Sequence, residues 1–137
     1  MKQYAFLLAA LPVALMACNS GKNIPAYQCF AYINGKDSIL LQVHTEGKTV
    51  DGQLTYQLYE KDQNDGAISG SWAGDTLRAE YQFMSEGIES VREVVFLKKG
   101  NQLVEGFGNV EERNGKMVFT SAPSFEQGIV YNTVDCQ

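Results

Sequence analysis

Histidine is nearly missing from this chain. One occurs in 137 residues, which excludes chemistry built on a histidine pair and any multi-histidine metal site. Basic residues are also short. Lys and Arg number 11 against 16 Asp and Glu, a formal net charge of -5. Binding to phosphate backbones needs clustered Lys and Arg, so nucleic acid is not expected as a partner. No stretch after Cys18 carries a helical period. There is no G-x-S-x-G nucleophile motif and no glycine-rich phosphate loop. The chain therefore reads as non-catalytic, with no cofactor and no metal. What is present suits one small globular domain: 45% of residues are hydrophobic and 20% charged.

The N-terminus differs from the rest. Lys2 is the only charge before Lys22, and Tyr4 to Leu15 is an apolar run too short for the roughly 20 residues that span a bilayer. Residues 1–17 are expected to be a signal peptide. The boundary Leu15-Met16-Ala17-Cys18 resembles the lipobox of Gram-negative lipoproteins. That resemblance implies cleavage before Cys18 and lipid attachment to it, palmitate included. Two or more chains anchor a protein stably where one holds it marginally. Asn19 follows the cysteine and no acidic run follows in Ser20 to Pro25. The resemblance then implies the outer membrane, with the protein facing the periplasm. Residues 18–25 form the lipidated cysteine and a short tether, and 26–137 form the folded domain.

With Cys18 taken by lipid, Cys29 and Cys136 remain. Two cysteines in an exported protein imply a disulfide, the alternative being two free thiols. A bridge needs its Cα atoms within roughly 7 Å. The first and last strands would then be neighbours.

The body alternates with a period of two. Leu77, Ala79, Tyr81 and Phe83 share one face, opposite Arg78, Glu80 and Gln82. Ile39, Leu41 and Val43 alternate with Leu40, Gln42 and His44. Such alternation marks half-buried antiparallel strands. Turn signals punctuate it, among them Asn34-Gly35, Asp65-Gly66, Glu86-Gly87, Asn114-Gly115 and Gln127-Gly128. They predict nine strands, near 27–33, 38–45, 50–60, 67–73, 76–84, 89–98, 102–111, 116–121 and 129–135. Consecutive hairpins make a meander, and closure removes its raw edges. The expected fold is all-β: an antiparallel meander closed as an up-and-down barrel of about eight strands. A curled open meander or a sandwich is the second choice.

Few positions suggest chemistry. Asp62 to Gly66 superficially resembles a calcium loop, but the spacing would put Lys61 at the first ligand position. A hairpin turn is expected there instead. His44 reads as a solvated strand end. Gly106 lies in an alternating run and suggests close backbone approach. Arg92 shares a face with Val94 and Phe96, and Glu105 shares one with Leu103 and Phe107. If both faces point inward, Arg92 and Glu105 form an interior polar pair. The two residues are then a polar anchor for a ligand or a structural ion pair; otherwise they belong to an outward-facing rim. Tyr32 and Tyr59 leave the same alternatives open, a ligand contact or, more simply, barrel filling.

As a whole the chain resembles the small lipoproteins of Gram-negative bacteria that join a lipobox to a β-meander. It also resembles the lipoprotein-type lysozyme inhibitors, through Tyr27-Gln28-Cys29 and Cys136. The inhibitory loop of that family, a Ser-Ala-Ser-Gly-Ala-Arg-Tyr type run, has no counterpart here. Two functions are therefore expected: an envelope lipoprotein binding a small ligand in its barrel, or an inhibitor of a basic envelope enzyme such as lysozyme.

Overall fold

The computed structural model describes residues 26–61 and 63–137. The expected signal peptide, the lipidation site Cys18 and the tether lie outside the described residues. Every regular element described is a strand. In chain order they are β1 (Tyr27–Asn34), β2 (Asp37–Glu46), β3 (Thr49–Gln57), β4 (Asn64–Ala73), β5 (Thr76–Ser85), β6 (Ile88–Lys99), β7 (Gln102–Phe107), β8 (Val110–Arg113), β9 (Lys116–Phe119) and β10 (Ser124–Val134).

Neighbouring strands run β5-β4-β3-β2-β1-β10-β7-β6, and β5 pairs back with β6. The result is a closed eight-strand antiparallel barrel, as the alternation predicts. β8 and β9 form a hairpin outside the ring. The hairpin joins the barrel where β9 runs parallel to β6, with Val91 opposite Lys116 and Arg92 opposite Met117. The proximal end of the barrel carries the start of β1 and the end of β10. The distal end carries the β1–β2, β3–β4 and β5–β6 turns.

The expected faces hold. Leu77, Ala79 and Tyr81 are buried and Phe83 packs against the same core, while Arg78, Glu80 and Gln82 are exposed. One apolar cluster draws on all eight barrel strands, from Phe30 and Leu41 to Leu103 and Tyr131. Eight strands leave an interior just wide enough for side chains to fill. Tyr81, Phe96, Tyr131 and Leu41 are completely buried in it.

Cys29 and Cys136 are disulfide-bonded, with Cα atoms 5.2 Å apart. β1 and β10 are neighbours, with Cys29 opposite Val134. The bond therefore sits on the seam where the chain's two ends close the ring.

Several local expectations need correction. There are ten strands, because the run at 102–111 breaks at Gly108-Asn109 into β7 and β8. Asp65-Gly66 is no turn. It lies inside β4, with Asp65 opposite Thr55 and Gly66 opposite Leu54. The chain reverses earlier, where the Lys61 amide donates to the Leu58 carbonyl and Glu60 adopts a φ of 54°. Gln127-Gly128 is likewise no turn but part of an irregularity in β10, where the register against β7 shifts between Ser124 and Ile129. Tyr32 packs on the core, but Tyr59 is exposed beneath Lys36, whose Nζ lies 4.2 Å from the ring centroid.

Candidate functional site

β6 and β7 pair only from Phe96–Lys99 to Glu105–Gln102. Further towards the distal end they part, and β9 takes the place of β7 beside β6. The register shift in β10 lies opposite the last residues of β7, between the pairs Ile129–Glu105 and Ser124–Phe107. It lays Phe125 against Gly106, where a Cβ would stand 2.8 Å from the Phe125 ring and 3.0 Å from Val95. Only glycine fits such an approach. Val95, fully buried yet outside the central cluster, thus packs at the same glycine as Phe125. The hairpin is tied on by polar contacts. The Phe119 amide donates to Glu93 at 2.8 Å, and Lys116 Nζ donates to both Glu80 oxygens.

The parted strands leave a cleft of about 350 Å³. Arg92 and Glu105 line it, together with Val94, Gly106, Phe107, Val110, Met117 and Phe119. The two charged residues singled out in the sequence therefore reach one site. Glu105 is 2% exposed, the one buried charged residue among those described. Its carboxylate accepts hydrogen bonds from the Tyr56 hydroxyl at 2.8 Å and the Tyr131 hydroxyl at 2.5 Å.

The expected Arg92–Glu105 ion pair does not form. Ion pairs among the described residues are Arg78–Glu93, Arg113–Glu111 and Lys116–Glu80. Glu105 is met by two phenols instead, and Arg92 is held by rings. Its guanidinium carbon lies 5.1, 5.4 and 5.7 Å from the ring centroids of Tyr56, Tyr81 and Phe83. Cations over aromatic faces gain electrostatic stabilisation without an anion. Its Nε is buried without a hydrogen-bond partner, as are the Tyr81 hydroxyl and the Asn64 side-chain oxygen. Tyr81 is the cross-strand partner of Arg92, and Asn64 that of Tyr56. All three unpartnered atoms therefore belong to residues of the cage or next to it. Buried polar atoms without partners are rare and mark a place to look for function.

Burial pushes the Glu105 carboxyl above its ordinary range, while the two phenols and Arg92 pull it back less strongly. Burial, aided by the Glu105 charge, raises the Tyr56 and Tyr131 hydroxyls, and burial moves Tyr81 up to about 12. The sign for stability follows. A carboxyl raised in the folded state favours folding at low pH, and that contribution is lost as pH rises through the folded value. Relative to Glu105→Gln, the wild type is expected to lose stability as pH climbs from 4.5, the ordinary carboxyl value. Urea titrations at a series of pH values measure the gap. A gap that moves in favour of the wild type over that climb would contradict the burial argument.

Two other places are less promising. His44 lies 3.1 Å from Asp51 on the outer wall. A larger cleft of about 490 Å³ lies at the proximal end by the disulfide, but its titratable lining groups Tyr27, Lys98 and Asp135 are all exposed. No cluster of three or more metal-ligating side chains occurs among the described residues. Comparison with known proteins finds no matching family model, no matching curated protein and no matching solved structure.

Proposed function

We propose that this protein is a membrane-anchored, non-catalytic envelope lipoprotein that binds a small ligand at the β6–β7 fork. The anchor rests on Leu15-Met16-Ala17-Cys18 and the apolar run before it. The ligand site rests on one observation: a caged Arg92 with no ion-pair partner among the described residues, lining a mainly apolar cleft. Pockets of this kind, apolar with a few placed polar groups, are the usual form of a small-molecule site. Because side chains fill the barrel interior, the site lies in its wall.

Native mass spectrometry of the full chain from membranes tests the reading. We expect acylation that Cys18→Ala abolishes, and a small-molecule adduct that Phe107→Glu at the exposed lip of the cleft removes. A fatty-acid label persisting on Cys18→Ala would refute the anchor. An adduct unaffected by Phe107→Glu would refute the site.

A second reading, inhibition of a basic envelope enzyme such as lysozyme, has its own support. The distal turns expose Ile33, Tyr59, Met84 and Ile88, with Ile33 73% and Ile88 68% accessible. Of these, Met84 and Ile88 lie beside Glu86 and Glu89, an exposed apolar and acidic pairing that suits a basic protein surface. The same membrane preparation separates the readings, because here a basic protein co-purifies in place of a small-molecule adduct.

A further inference from the structure

The charges around the fork are unequal in availability. Glu105 accepts from two tyrosines, and Glu93 accepts the Phe119 amide and faces Arg78 at 3.7 Å. Both carboxylates of the cleft are already engaged by the protein. Arg92 is a cation held in place by three aromatic rings, with no ion pair among the described residues. A guanidinium recognises carboxylate or phosphate oxygens through paired N–H donors, and pre-orientation of the group lowers the cost of binding. The lips of the cleft are apolar and partly exposed at Phe107, Val110 and Met117. The charged residues lining the cleft are therefore less exposed than its apolar residues Phe107, Val110 and Met117. Its volume of about 350 Å³ lies at the small end of ligand sites, which suits one alkyl chain better than two.

We infer that the ligand is a single-chain amphiphile with an anionic head, the head on Arg92 and the chain along Phe107, Val110 and Met117. This rests on the proposed cleft site and specifies its chemistry. Free carboxylate and phosphate heads share the recognition and come from different lipids. Cationic and uncharged amphiphiles of equal length lack a counterpart for the guanidinium.

The test uses the full chain in nanodiscs, with empty nanodiscs as the reference for partitioning. Octanoate, octyl phosphate, octanol and octylamine are titrated by calorimetry. We expect one or both anions to bind roughly tenfold or more tighter than octanol and octylamine, the size of one charge-assisted contact. The stronger of octanoate and octyl phosphate identifies the head. Arg92→Gln should erase the preference for anions, and Arg92→Lys should keep part of it. Should Arg92→Gln fail to fold, the exposed-lip variant Phe107→Glu takes its place, and we expect it to weaken anion binding similarly. The four-ligand comparison on the wild type needs no variant at all. Equal or tighter binding of octylamine would overturn the anionic assignment. If Phe107→Glu then abolishes that binding, the cleft stands as a ligand site with a different occupant. Failure of all four probes to bind above empty nanodiscs would overturn the assignment, whereas the cleft itself stands or falls by the adduct from native membranes.

Discussion

Loss of the Cys29–Cys136 bond is expected to lower the unfolding free energy by about 4–5 kcal/mol, the chain-entropy value for a loop of this size. The bonded residues are 107 positions apart, so the loop contains nearly the whole described domain. The bond also lies at the weakest point of the ring. β1 and β10 are in register over only three pairs, Cys29–Val134, Phe30–Thr133 and Ala31–Asn132, whereas β1 and β2 pair over eight. Small domains have about 5–15 kcal/mol in total, so the loss would consume much of the margin. Cys29 is buried, and reductant is best applied to protein already unfolded in urea. The variant Cys29→Ser with Cys136→Ser gives the same comparison without reductant. A loss below about 1 kcal/mol, well under the loop estimate, would mean that the ladder alone secures the seam.

Much of this barrel was legible because its signals are local. Period-two alternation assigned the inward faces of β2 and β5, and the Glu86-Gly87 and Asn114-Gly115 turns have the positive φ angles their residues suggested. The failures have physical causes. Asp65-Gly66 reads as a turn in the sequence because glycine serves turns and close approaches alike. In β4 it serves the second purpose, since a Cβ would stand 2.1 Å from the Gln82 carbonyl oxygen on β5. Val95 alternates outward and is nevertheless fully buried, at Gly106, where Phe125, thirty positions later, also packs.

The candidate site was half legible for the same reason. Alternation grouped Arg92 with Val94 and Phe96 and Glu105 with Leu103 without deciding that both faces point inward, and both residues line one cleft. Their partners were not readable. Glu105 is met by Tyr56 across the barrel, 49 positions earlier, and by Tyr131, 26 positions later. No local pattern ranks a tyrosine pair above an arginine. Nor does any pattern show that the run at 102–111 breaks and leaves a gap in the wall.

Tyr81→Ala is expected to destabilise the fold by about 3–5 kcal/mol, as large-to-small changes of buried aromatics do. The ring is completely buried. It stacks on Phe83 with centroids 4.7 Å apart, meets Tyr56 at 5.7 Å and forms one wall of the Arg92 cage. Arg78, three residues earlier on the opposite face, is exposed, and its contact with Glu93 is long at 3.7 Å. Arg78→Ala should therefore cost no more than about 0.5 kcal/mol. Comparable losses at both positions in urea titrations would mean that the inward face is misassigned and the cage with it. Tyr81→Phe separates ring from hydroxyl. The hydroxyl is buried with no partner among the described residues, so removing it leaves no donor or acceptor stranded and relieves one that is. Tyr81→Phe should match or exceed the wild type in stability. A loss above about 1 kcal/mol, the usual worth of one hydrogen bond, would show that the hydroxyl is satisfied in solution by a group outside the described residues or by water.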